Sequence, residues 1–122
     1  MKYLYFFFII LFCYYPTIAK EFVVSETQNK IEILDIYSNK FLLNKNYIIK
    51  NGDFMKSKNK ISYLTFNKVK ICLAKNSSIK VKKIKNNYMV IEHLKGSLLV
   101  NKENNSKLKL QIQILDNLIL EI

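Results

Sequence analysis

The sequence predicts an all-β chain. It should form a single domain of about ten short strands, built as a sandwich, a roll or a short β-solenoid, behind an N-terminal signal-peptide helix. Three observations predict this. Beyond residue 20, no segment repeats apolar residues at helical spacing through three or more turns. Short apolar runs separated by Asn, Ser, Lys and an occasional Gly take its place, which is the pattern of strands and turns. Where a run is long enough to show parity, apolar and polar residues alternate, as a strand with one buried face requires.

The N-terminus reads MKYLYFFFIILFCYYPTIAKE. Lys2 supplies a positive charge, Tyr3 to Tyr15 form an unbroken apolar run, Pro16 breaks it, and Thr17-Ile18-Ala19 presents small residues at the sites a signal peptidase inspects. Residues 1–19 are therefore expected to be a secretory signal peptide cut after Ala19. The competing expectation is an uncleaved anchor in the inner membrane, for which the run is near the lower length limit of about 17 residues. Cys13 sits among bulky residues, unlike a lipidated cysteine. Either route places residues 20–122, the β domain, in the periplasm, on the envelope or outside the cell. From Lys20 onward the chain holds 103 residues, nineteen lysines and nine acids, for a net charge of +10. It retains one cysteine, Cys72, and so has no pair for an internal disulfide.

Strands are expected in order at Glu21–Ser25, Lys30–Tyr37, Tyr47–Lys50, Ile61–Phe66, Val69–Ala74, Ser78–Ile84, Tyr88–Leu94, Ser97–Asn101, Leu108–Leu115 and Leu118–Ile122. Leu108, Leu110, Ile112 and Ile114 share one face, opposite Lys107, Lys109, Gln111 and Gln113. Val69, Ile71 and Leu73 likewise oppose Lys70 and Cys72. In the lysine-rich stretch KNSSIKVKKIKNN, Ile79 and Val81 point inward and Lys80 and Lys82 outward; Ile84 then breaks parity, predicting a bulge near Lys82-Lys83. Turns are expected at Asn51-Gly52-Asp53, Asn67-Lys68, Lys75-Asn76-Ser77, Asn86-Asn87, Lys95-Gly96, Asn104-Asn105 and Asp116-Asn117. Asn tolerates positive φ better than other side-chain-bearing residues and should stand in for scarce glycine. The two glycines themselves should occupy positions only glycine can fill.

Every basic residue is lysine and none is arginine, while Asn, Ile, Phe and Tyr are abundant. This is the signature of AT-rich codons, and it attributes much of the lysine excess to genome composition. Arginine is the residue that grips phosphates and guanine bidentately, so its absence argues against nucleic acid as a partner. The lysines of IKVKKIK are accounted for by the solvated face of a half-buried strand, where they also discourage edge-to-edge aggregation.

From Asn44 to Lys102 the order of elements resembles the FecR domain, the periplasmic module of ferric-citrate-type signal transducers and of stand-alone secreted proteins. Gly52-Asp53 followed by Ser57 is similar to its Gly-Asp element, and Ile61–Phe66 with Val69–Leu73 to its paired strands. Asn76 to Val81, including Ser78, is similar to its Asn-Ser strand entry, and Leu94-Lys95-Gly96-Ser97-Leu98 to its Leu-x-Gly turn. Two departures stand out. Asn67-Lys68 replaces the usual Asp-Gly-Ser turn, and the Arg-Gly-Thr-like element beyond the Gly turn does not follow, so the domain is expected to be a C-terminally shortened version. No anti-sigma segment precedes the apolar run, so the chain is not expected to carry a signal across the inner membrane alone. The resemblance implies a non-catalytic interaction or signalling-accessory module whose partner is another envelope protein.

The candidate chemistry is sparse. His93 is the only histidine, Cys72 is its only potential zinc-ligating companion, and the carboxylates of Asp53, Glu92, Asp116 and Glu121 show no paired spacing. The two glycines lie 44 positions apart, so there is no phosphate loop. No catalytic residue, metal, cofactor or small-molecule substrate is expected. Asp53 is expected to bond backbone near its own turn. The alternative function is an envelope β module that binds anionic lipid, lipopolysaccharide or cell-wall glycan through its positive charge. Tyr63 and Tyr88, expected to be exposed, could serve either role.

Overall fold

The computed structural model describes residues 21–115 and 118–122. The signal-peptide segment with its cut after Ala19, and the Asp116-Asn117 turn, lie outside the described residues. Eleven strands form among the described residues. They are β1 (Val24–Gln28), β2 (Ile31–Leu34), β3 (Lys40–Leu42), β4 (Phe54–Ser57), β5 (Ser62–Phe66), β6 (Val69–Leu73), β7 (Ser78–Lys85), β8 (Tyr88–Lys95), β9 (Leu98–Lys102), β10 (Lys109–Leu115) and β11 (Leu118–Glu121). They make two sheets, a four-stranded one in the order β1-β5-β6-β9 and a seven-stranded one in the order β11-β10-β8-β7-β4-β2-β3. One apolar cluster draws on both, with Val24, Leu64, Phe66, Val69, Ile71 and Leu73 from the smaller sheet and Ile31, Ile33, Met55, Ile79, Val81, Met89, Ile91 and Leu110 from the larger. Of the expected all-β arrangements the chain is thus a two-sheet sandwich.

Parity explains most of this. Leu108, Leu110 and Ile112 are buried as expected; Gln113, on the opposite face, is buried too, and its Oε1 accepts a hydrogen bond from Lys82 Nζ at 2.7 Å. Ile79 and Val81 are buried while Lys80 and Lys82 are exposed. The register between β7 and β8 slips between Val81 and Lys83, and that bulge turns Ile84 back against the core. Positive φ falls on Asn29, Asn46, Asn67, Asn76 and Asn86, and otherwise only on Ser38, Lys68 and the two glycines among the described residues. Asparagine does take the place of glycine here. Asn67 and Lys68 both adopt positive φ in the two-residue β5–β6 turn, as the inherent twist of a tight hairpin favours.

Three expectations need correction. Tyr47–Lys50 is not a strand. Turns at Lys45-Asn46 and Asn51-Gly52 bracket it closely, and only an isolated bridge, Val23 to Ile48, ties it to its neighbour. β3 and β4 were not anticipated, because each holds only two adjacent apolar residues, too few to show a period. The expected Lys30–Tyr37 strand stops at Leu34, where Asp35 Oδ1 accepts the backbone N–H groups of Tyr37 and Asn39 at 2.9 Å and folds the chain into a turn.

Candidate functional site

β4 is held at both ends by residues that the sequence singled out, Gly52 and Asp53 before it and Ser57 at its close. At its start, Gly52 takes φ +85° and its N–H donates to Val81 O at 2.7 Å. Asp53 follows with 0% exposure; its Oδ2 accepts the Lys50 backbone N–H at 2.9 Å and the Tyr47 hydroxyl at 2.7 Å, and its Oδ1 has no partner. The bond to nearby backbone is the expected one, and Tyr47 is an addition the sequence did not signal. Burial, and then the Asp53 carboxyl that its proton serves, raise the Tyr47 phenol well above its ordinary pKa.

At the other end of β4 three inter-sheet crossovers meet. The chain passes from the seven-stranded sheet to the four-stranded one after β4 and after β8, and returns after β6. The buried Ser57 hydroxyl donates to Ala74 O and accepts the Ser77 N–H at 3.0 Å. Asn76 N–H donates to Lys58 O at 2.8 Å, and Ser97 N–H donates to Ser77 Oγ at 3.0 Å. Gly96, at φ +76°, lies against Ser77 so closely that a Cβ there would sit 2.2 Å from Ser77 Oγ and 2.7 Å from its Cα. Ser78, also buried, opens β7 opposite Lys95. The structure thus brings Ser57, Asn76, Ser78 and Gly96 together and sets Gly52 and Asp53 apart from them. Leu94 faces solvent instead. Both nodes are hydrogen-bonded corners: the first fixes the entry to β4 within the seven-stranded sheet, and the second fixes the strand crossings between the sheets.

The candidate chemical residues are dispersed. His93 is half-buried opposite Ile79 with Nε2 unpartnered, and Cys72 is a free, half-buried thiol between Tyr63 and Leu99. Among the described residues no group of three or more His, Cys, Asp or Glu could hold a metal ion. Tyr63 and Tyr88 are half-buried rather than exposed: Lys70 Nζ stands 4.2 Å over the Tyr63 ring, and the Tyr88 hydroxyl donates to Gln111 Oε1 at 2.6 Å.

What remains available for binding is on the surface. Free sheet edges are the first such feature, and they are protected unequally. β3 is three residues long and carries Lys40, whose Nζ lies 3.6 Å from Glu32. β1 is bulged between Val24 and Glu26, and β9 ends in Asn101-Lys102, though it exposes Leu99 at 68%. The β10–β11 pairing slips register between Gln113 and Leu115, on β10, but β11 itself carries no lysine and exposes Ile119 at 53% and Leu120 at 46%, with Ile122 beyond at 41%. Its one acid, Glu121, is engaged by Gln111 Nε2 at 2.9 Å. Shallow lysine-lined hollows are the second feature. One, bordered by Lys30, Lys40 and Lys58, contains Glu32, whose carboxyl is held below its ordinary pKa chiefly by the Lys58 side chain 3.1 Å away. Neither surface was singled out by sequence, since β11 is a four-residue run and hollows depend on pairing. Comparison with protein-family models, with curated proteins and with solved structures returns no match to this chain.

Proposed function

We propose that the chain is a non-catalytic envelope module that binds a partner protein by adding one of the partner's extended segments to the free edge of β11. The observation that carries this reading is the contrast among edges. Three are shortened, bulged or carry lysine, and β11, an outermost strand among the described residues, presents exposed Ile119 and Leu120 beside its free side. Main-chain pairing supplies affinity in such complexes, and the alternating side chains supply selectivity. The secretory character of residues 1–19 and the FecR-like order of elements support an envelope location and an accessory role. Of the alternative, an envelope β module that binds anionic lipid, lipopolysaccharide or cell-wall glycan, the form that carries lipid tails needs an open apolar groove between the sheets, whereas Ile, Leu, Val, Met and Phe side chains fill the space between them.

The test is retention of partners from an envelope extract of the source cell, by the wild-type chain and by Ile119→Lys, at low and at high salt. A single protein held at high salt by the wild type and lost by the variant is the expected result. Equal retention by both, or capture of anionic lipid alone at low salt, would overturn the edge-strand reading.

A further inference from the structure

On the outer face of the seven-stranded sheet, three adjacent strands bring lysines around one aromatic ring. Tyr88 opens β8; Lys85 lies directly opposite it on β7, and Lys109 lies directly opposite it on β10. Lys83 shares a face with Lys85 two positions back, and Lys107 precedes Lys109 by two. Together with Asn86 and Asn87 these residues line an open hollow of about 600 Å³. The half-buried Tyr88 ring borders it, fixed by its hydroxyl bond to Gln111. Lys109 N–H donates to Asn87 O at 2.6 Å, which ties the entry of β10 to the β7–β8 turn.

Lysine abundance alone does not explain this grouping. No acid lines the hollow, whereas Glu32 lies within ion-pair distance of both Lys40 and Lys58 and Glu92 lies directly opposite Lys80. Tyr88 and Lys109 also border an adjoining hollow that holds Lys102 and Glu121, whose carboxylate accepts from Gln111 Nε2. Four like charges are therefore gathered in one concavity with no acid among the described residues that line it, a repulsive arrangement that a bound anion would relieve. Lys85 and Lys109 are rooted two strand spacings apart, about 10 Å. Flexible lysine arms from those roots can close on an anion carrying two or three adjacent phosphoryl groups, each ammonium offering three donors.

We propose that the hollow bounded by Lys83, Lys85, Tyr88, Lys107 and Lys109 is a binding site for clustered phosphoryl groups, whether on one free anion or presented by adjacent lipid headgroups. The site is separate from the β11 edge, so it can fail while the edge reading stands.

The test uses the full chain with two probes, inorganic tripolyphosphate and phosphatidylcholine vesicles with and without phosphatidic acid. Two double variants each remove two charges from the same sheet face: Lys85→Gln/Lys109→Gln inside the hollow, and Lys56→Gln/Lys80→Gln outside it. Urea denaturation first establishes that both retain the wild-type fold. The expected result is that the hollow variant loses affinity on the order of tenfold or more while the control loses less than about threefold, with binding weakening as salt rises. Binding of tripolyphosphate with this pattern supports the site with a free anion as its ligand. Binding of the phosphatidic acid vesicles alone, again with this pattern, supports it with a lipid headgroup. Equal losses in the two variants would mean diffuse charge and would overturn the proposal, as would failure of both probes to bind. Tripolyphosphate that binds without shifting the Tyr88 ring resonances would overturn it too.

Discussion

Replacing Gly96 with alanine should destabilise the protein far more than replacing Gly52, although both glycines have positive φ. At Gly52 the new Cβ would meet one crowded atom, Ile36 Cγ2 at 2.2 Å, with the next contact at 3.7 Å. Ile36 is 64% exposed on a loop and can swing aside. The cost is then the left-handed backbone, roughly 1–2 kcal/mol, less about 0.5 kcal/mol for the stiffer unfolded chain, or about 1 kcal/mol net. At Gly96 the same backbone cost applies, but the Cβ would lie 2.2 Å from Ser77 Oγ, 2.7 Å from Ser77 Cα and 2.8 Å from Ser77 Cβ. Backbone cannot rotate away as a side chain can. Overpacking of this kind adds about 1–3 kcal/mol. Displacing Ser77 Oγ also strains its bond from Ser97 N–H, worth about 1 kcal/mol. The total for Gly96→Ala is about 3–5 kcal/mol, a fall in Tm of at least about 12 °C at roughly 4–8 °C per kcal/mol for a domain of this size. Urea denaturation of the two variants beside the wild type measures the difference. Equal costs at the two sites would refute the reasoning, because they would show that φ alone matters and that the crossover corner is not tightly packed.

Tyr47→Phe removes the hydroxyl bonded to Asp53 and should cost about 1–2 kcal/mol at neutral pH by urea denaturation. Because burial raises the Tyr47 pKa in the folded state, its contribution is fully present below the unfolded value near pH 10 and is lost as pH rises above it. The wild type should therefore lose stability more steeply than Tyr47→Phe between about pH 10 and 11; parallel curves would contradict this. Asp35 is displaced the other way, its carboxyl held low chiefly by the Asn39 backbone N–H. Its contribution is present above the unfolded pKa near 4 and is lost as pH falls, so Asp35→Asn should flatten the acid limb of stability. An unchanged acid midpoint would count against that. Ser57→Ala leaves the Ser77 N–H and Ala74 carbonyl without their buried partner and should cost about 1–3 kcal/mol in the same urea titration. A loss below about 0.5 kcal/mol would mean the crossovers are held mainly by packing.

Parity reading succeeded where a strand is long and one-sided. β7 was legible to the level of its bulge, because Ile79, Val81 and Ile84 cannot all face inward without a register slip. It failed at β3 and β4, whose two apolar residues each carry no period and which exist because β2 pairs with both. Tyr47 was legible as apolar but not as a hydrogen-bond donor, since its partner is reached through a turn. Gly52, Asp53, Ser57 and Gly96 were locatable because turns and crossovers restrict residue type strongly, whereas Leu94 lies outside those corners and faces solvent. Residues that could meet a partner sit on edges and faces, where single positions tolerate many side chains and only pairing shows which ones assemble.

The lysines illustrate this most sharply. In a chain whose basic residues are all lysine, a run such as IKVKKIK says little about binding, and Lys80 and Lys82 bear this out: one lies opposite Glu92 and the other donates to Gln113. What discriminates is the placement of the few acids. Glu32 and Glu92 fall where lysines gather at the β2–β3 side and mid-sheet, and none falls among Lys83, Lys85, Lys107 and Lys109. Codon bias supplies lysines without regard to fold, so it does not by itself account for one concavity whose lining holds four lysines and no acid. A lysine-to-glutamate change inside that hollow, Lys85→Glu, should therefore raise stability slightly by relieving repulsion, by up to about 0.5 kcal/mol, while abolishing tripolyphosphate binding. Stability and binding moving in opposite directions is the signature of a charge arrangement kept for a ligand. If Lys85→Glu instead lowers both, Lys85 is serving the fold.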